Sequence, residues 1–138
     1  MMSLKLYLDK GLLQEVEATP QTLADLLSVA ARDLQDASVR GLSVDRQFAT
    51  AYSAALNLAT YVIRRNGYRV TSRSGHHKTT FDVVEIILGE ETKSLIRYFD
   101  RCRRKRNKVD YDFVNVVSES EKDDLLQKVA EFKKIIVG

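Results

Sequence analysis

Proline and cysteine each occur once in this chain of 138 residues, and glycine only six times. With so little proline, few stretches are barred from continuing as helix, since the proline ring removes a backbone donor and clashes with the preceding turn. The lone cysteine, Cys102, excludes an internal disulfide and fits a reducing compartment, so a cytoplasmic location is expected. No apolar run approaches the roughly 20 residues that a membrane-spanning helix needs, and no membrane role is expected. The N-terminus lacks the charged and apolar regions of a secretory signal. Internal repeats and low-complexity segments are absent too. What remains is ordinary for a globular protein, 44% apolar and 30% charged, and residues 1–138 suffice for one domain with its own core.

Ala, Leu, Arg, Lys, Glu and Asp abound, and their spacing predicts helices. Thr19-Pro20 is an N-cap followed by proline at the first helical position. Leu23, Leu26, Leu27, Ala30, Leu34 and Ala37 then form an apolar stripe, and Gly41 follows its end. A second helix starts near Ser43, carries Phe48, Ala51, Tyr52, Ala55, Leu58, Ala59 and Val62 on one face, and stops at Asn66-Gly67. A polar, basic loop is expected over 67–76. A third helix carries Phe81, Val84, Ile87 and Leu88, is kinked or interrupted at Gly89, and continues to about Asp110. Ser118 and Glu121 have the spacing of a capping box opening a last helix, with Leu125, Val129, Phe132 and Ile136 as its stripe. Residues 1–18 read either as a strand, from the alternation of Leu4, Leu6 and Leu8, or as a helical turn, and are expected to be an arm packed across the rest. The fold class predicted is all-α, an antiparallel up-and-down bundle of four to five helices.

Charge is distributed unevenly. Between Arg97 and Lys108 stand Arg97, Arg101, Arg103, Arg104, Lys105, Arg106 and Lys108 against the single acid Asp100. That stretch carries a net +6, so the remainder of a chain totalling +3 carries −3. Such asymmetry predicts an anionic partner, phosphate foremost. On a helical projection Leu95, Ile96, Phe99 and Cys102 share a core-facing arc, while Arg97, Arg101, Arg104, Lys105 and Lys108 form a solvated basic stripe. Arg103, Arg106 and Asp110 fall within the apolar arc. A buried cation without a partner costs several kcal/mol, so these residues either pair or line a cleft. Arg106 and Asp110, at i,i+4, can pair along the helix. Glu85 and Asp25 are candidate partners on neighbouring helices.

Three stretches, DRQFATAYSAALNLATYVIRRNGYR (45–69), SGHHKTTFDVVEIILG (74–89) and YFDRCRRKRNKVDYD (98–112), resemble the HEPN superfamily, small helical bundles of prokaryotic toxin–antitoxin and defence systems. The resemblance implies a homodimer in which two copies of a motif, Arg-Asn followed by a histidine, meet in one cleft at the end of the third helix. It also implies either metal-independent RNA cleavage there or partnership with a cognate nucleotidyltransferase or antitoxin. Arg106-Asn107 matches the motif, but the expected histidine falls on Tyr111, and no histidine follows His77. Arg106, Asn107 and Tyr111 are therefore the candidate catalytic residues. Arg103, Asp110, Arg97, Arg101, Arg104, Lys105 and Lys108 are the candidates for binding RNA or nucleotide phosphate.

Attack of a 2′-hydroxyl on phosphorus needs a base near neutrality and a cation for the developing charge. The arginines meet the second need. Tyr111 is a poor base, since a phenol titrates near about 10. A nucleotidylated tyrosine, known in some members, would fall on Phe113. His76 and His77 have no further ligand at metal spacing, so neither metal nor cofactor is expected. In one straight helix His77 and Arg106 would lie roughly 43 Å apart. Only the break at Gly89 or a second subunit would bring them together, and His77 is expected instead to start its helix or pack under the 67–76 loop. Cys102 and Tyr52 read as packing.

Overall fold

The computed structural model describes residues 3–71, 75–111 and 116–138, with Asp110 and Tyr111 described by backbone alone. It is an all-α bundle with one small two-stranded sheet. The elements are α1 (Leu4–Asp9), β1 (Leu13–Glu15), α2 (Pro20–Ala37), α3 (Val44–Arg65), β2 (Tyr68–Val70), α4 (His76–Leu88), a 3₁₀ turn (Glu90–Thr92), α5 (Lys93–Tyr111) and α6 (Glu119–Val137).

The long helices start and stop where local chemistry satisfies their terminal backbone groups. Thr19 Oγ1 accepts from Thr22 N at the start of α2, and Ser43 Oγ accepts from Arg46 N at the start of α3. The α6 capping box is complete: Ser118 Oγ accepts from Glu121 N, and Glu121 Oε1 accepts from Ser118 N, both at 3.0 Å. Asn66 ends α3 by donating its side-chain amide to Val62 O at 2.7 Å.

α3 is the axis of the core. Ala51, Ala54, Ala55, Leu58, Ala59 and Val62 are wholly buried, and the small size of the four alanines lets neighbouring backbones come close. α2 packs against α3 as an antiparallel hairpin, with Gln47 Nε2 donating to Val39 O and Asn57 Nδ2 donating to Asp33 Oδ2. α6 runs in the same sense as α3: Asp45 Oδ1 accepts from Val117 N near the two starts, and Arg65 donates to Ile136 O near the two ends. Phe81 of α4, Phe99 of α5 and Phe132 of α6 meet with centroids 6.0 and 5.2 Å apart, joining three helices in one aromatic cluster.

The structure resolves the ambiguity of residues 1–18. Ser3 accepts from Leu6 N and opens α1, so the alternating leucines 4, 6 and 8 lie on a helix, not a strand. The strand comes later, where Leu13, Gln14 and Glu15 pair antiparallel with Val70, Arg69 and Tyr68. Part of the expected 67–76 loop is thus β2.

The greater departure lies at Gly89. Its φ of 89° and ψ of −178° are open essentially to glycine alone. What the sequence presents as one kinked helix is a hairpin. Glu85 faces Arg97, Phe81 stacks on Phe99, and the charge of Lys78 reaches Asp100, so residues ascending along α5 meet residues descending along α4. The chain turns back on itself, and the end of α5 returns to the start of α4. Among the described residues no helix is long and apolar enough to cross a membrane.

Candidate functional site

At the open end of the α4–α5 hairpin, α3, α4 and α5 bring four polar side chains together. Tyr52 comes from α3 and is almost wholly buried. Its Oη lies 3.4 Å from Nδ1 of His77, in the first turn of α4, a long but usable hydrogen-bond distance. The Arg106 guanidinium of α5 sits over the Tyr52 ring, 5.8 Å from its centroid, a cation–π placement. Arg103, one turn earlier on α5, has a side chain only 20% exposed. Its Nε donates to Asp100 Oδ1 at 2.9 Å.

Each group alters its neighbours' protonation. Burial raises the Tyr52 phenol above its ordinary value of 10, outweighing the opposite pull of Arg106 and Arg103. Burial also lowers the His77 imidazole below its ordinary 6.5, and electrostatic interaction with His76, Arg106 and Arg103 adds to the effect. Burial alone would raise Asp100, but hydrogen bonds and charge from Arg103, then Arg104 and Lys78, hold it below the ordinary carboxylate value. At neutral pH the cluster thus holds a neutral phenol, a neutral imidazole, and two guanidiniums beside one carboxylate that Arg103 shares with Arg104.

The expected distance between His77 and Arg106 is corrected by this geometry. They do not lie on one straight helix; the reversal at Gly89 puts both against Tyr52. The expected partners of Arg103 are corrected as well. Glu85 lies 3.4 Å from Arg97, at ion-pair distance but without hydrogen-bond alignment. Asp25 accepts from Gln21 instead. Arg103 is held by Asp100 on its own helix, three residues back.

The basic stripe is largely where its phase puts it. Arg97, Arg101, Arg104 and Lys108 are exposed, and Arg101 lies over the Tyr98 ring. Lys105 is half-buried and reaches Glu121 of α6 at 3.2 Å. Asn107 is half-buried one residue beyond Arg106. The side chains of Asp110 and Tyr111 lie outside the described residues, as does Phe113. Cys102 is buried in the core, and burial pushes its thiol up to about 11.

A groove of about 630 Å³ runs from Arg106 between α2 and α3, past Ser53, Arg46, Val39 and Leu42, with Asp33 and Asp36 of α2 on its wall. That volume suits a nucleotide-sized ligand. Among the described residues no three His, Cys, Asp or Glu side chains are placed to hold a metal ion. Tyr52 and His77 were the residues that sequence reasoning set aside. A pointer to them was the glycine midway in the third helix, because a reversal there returns the basic segment to the helix start.

Comparison of the chain with protein-family models, with curated proteins and with solved structures finds no match. The reading of this site rests on its own chemistry.

Proposed function

We propose that this chain is a HEPN-like protein of the toxin–antitoxin or defence type, cytoplasmic, that binds RNA at the open end of the α4–α5 hairpin. One observation supports the reading of the site: two half-buried guanidiniums, Arg103 and Arg106, lie close to an imidazole and a phenol, and a nucleotide-sized groove leads away from Arg106. Guanidiniums bind phosphate by paired donors, and partial burial strengthens that contact. The exposed Arg97, Arg101, Arg104 and Lys108 continue the positive surface and would follow an RNA backbone. Asn107 is proposed to orient a phosphate oxygen or the ribose. Two copies are proposed to pair so that two such sites share one cleft.

The test is binding of a fluorescent single-stranded RNA to the purified chain, in excess chelator, across salt concentrations. Binding that weakens steeply with salt and drops on Arg106→Ala supports the reading. RNA left unbound at low salt would sink it, and would favour a module that docks a partner nucleotidyltransferase.

A further inference from the structure

The Arg106-Asn107 pair has no histidine at the position that the motif would use, yet the fold brings one to the pocket from another helix. We propose that His77 is the proton acceptor for cleavage of RNA at the phosphodiester held by Arg103 and Arg106, with Tyr52 as the residue that positions it. The proposal rests on the reading of this pocket as an RNA site.

The other candidates for a base are disfavoured by their surroundings. The Asp100 carboxylate is occupied by Arg103 and Arg104. The Tyr52 phenol is hard to ionise because it is buried. His77 is only half-buried. Four groups face it or lie close enough to act on its charge: Tyr52 from α3, Arg103 and Arg106 from α5, and its own neighbour His76, whose ring is 4.5 Å away. Burial first, and then the charge of these neighbours, favours the neutral imidazole, with a lone pair to offer.

The phenol determines which nitrogen offers it. His77 Nδ1 faces Tyr52 Oη, so Nε2, across the ring, points away from the phenol. In the tautomer with Nδ1 protonated, Nδ1–H donates to Oη and Nε2 is the free base.

The step balances without a metal. The 2′-O–H bond breaks as O2′ forms a bond to phosphorus, and the proton passes to His77 Nε2. The guanidiniums of Arg103 and Arg106 stabilise the charge on the phosphorane oxygens. The bond from phosphorus to O5′ then breaks with its electron pair on O5′, which takes a proton from water. The products are a 2′,3′-cyclic phosphate and a 5′-hydroxyl, and the imidazolium returns its proton to solvent.

The test compares the full-length chain with His77→Gln and Tyr52→Phe on a fluorescent single-stranded RNA in excess chelator. It measures binding by anisotropy, cleavage by gel, helical content by circular dichroism, and rate from pH 5 to 9. Wild-type cleavage should rise with pH to a plateau, with its midpoint below 6.5, the ordinary histidine value. His77→Gln should bind within about twofold of wild type and cut at least about 100-fold more slowly, the usual scale of lost base catalysis. Tyr52→Phe should still bind and cut, with the midpoint of its pH profile displaced. A fully 2′-deoxy strand should bind and stay intact. RNA bound but uncut by wild type at every pH, or cut equally by a folded His77→Gln, overturns the proposal while leaving the binding site standing. If His77→Gln does not fold, a wild-type profile lacking an acidic limb overturns it instead. Absence of RNA binding removes both.

Discussion

The closed and open ends of the α4–α5 hairpin are made of the same residue types but treat charge differently. At the closed end, beside Gly89, Arg97 faces Glu85 and Lys93 faces Glu90, one acid for each cation. At the open end Asp100 serves both Arg103 and Arg104, and Arg106 stands over an aromatic ring beside an imidazole. The aromatic stack of Phe81, Phe99 and Phe132 holds the two strands of the hairpin together. At one end each cation thus has its own acid, while at the other two arginines share one carboxylate and a third lies against an aromatic ring. The lesson is that a surplus of cations informs only when the fold prevents them from dispersing into solvent.

Removing the stack should damage the molecule most. Phe99→Ala deletes a wholly buried ring at the meeting point of three helices and is expected to lower stability by about 3–5 kcal/mol, read from chemical denaturation. Next comes the reversal itself. Gly89→Ala meets no atom within 4 Å, so its cost is backbone strain, about 1–3 kcal/mol, and RNA binding should fall with stability if the two ends are coupled. Arg106→Ala tests the open end alone. It should weaken RNA binding about tenfold with little change in melting temperature, and reduce the slope of affinity against log salt by about 0.7.

Asp100→Asn should act in the opposite direction on binding, raising RNA affinity a few-fold because the arginines lose their carboxylate, while lowering stability. The Asp100 carboxyl titrates below its ordinary 3.8 in the folded chain, so its contribution to stability is complete above that value. It should disappear as pH falls through the folded value, and an acid titration of Asp100→Asn should lack that component. The smallest effect is expected for Lys105→Ala. Its ion pair with Glu121 is partly solvated, and its loss should cost less than about 1 kcal/mol. A larger effect there would mean that the basic stripe is structural, contrary to the contrast drawn between the two ends.

Much of the bundle was legible in the chain because helix signals are local. The caps at Thr19, Ser43 and Ser118, the stop at Asn66-Gly67 and the apolar stripes of α2, α3 and α6 repeat every three to four residues and require no knowledge of the rest. β1 and β2 were not legible, since each is three residues long and gains its hydrogen bonds only from the other, as between Gln14 and Arg69, 55 positions apart. The candidate site was half legible. The phase of Arg103 and Arg106 marked them as misplaced cations, but their companions Tyr52 and His77 looked like packing and a helix start.

What the sequence determined by itself is the set of helices, their buried faces and the presence of a strongly basic segment, because periodicity and charge reside in neighbouring residues. What only the tertiary structure decided is the company those cations keep. The same Gly89 permits a kink or a full reversal. Burial of Phe81 against Phe99 holds the reversal and brings His77 and Arg106 together around Tyr52.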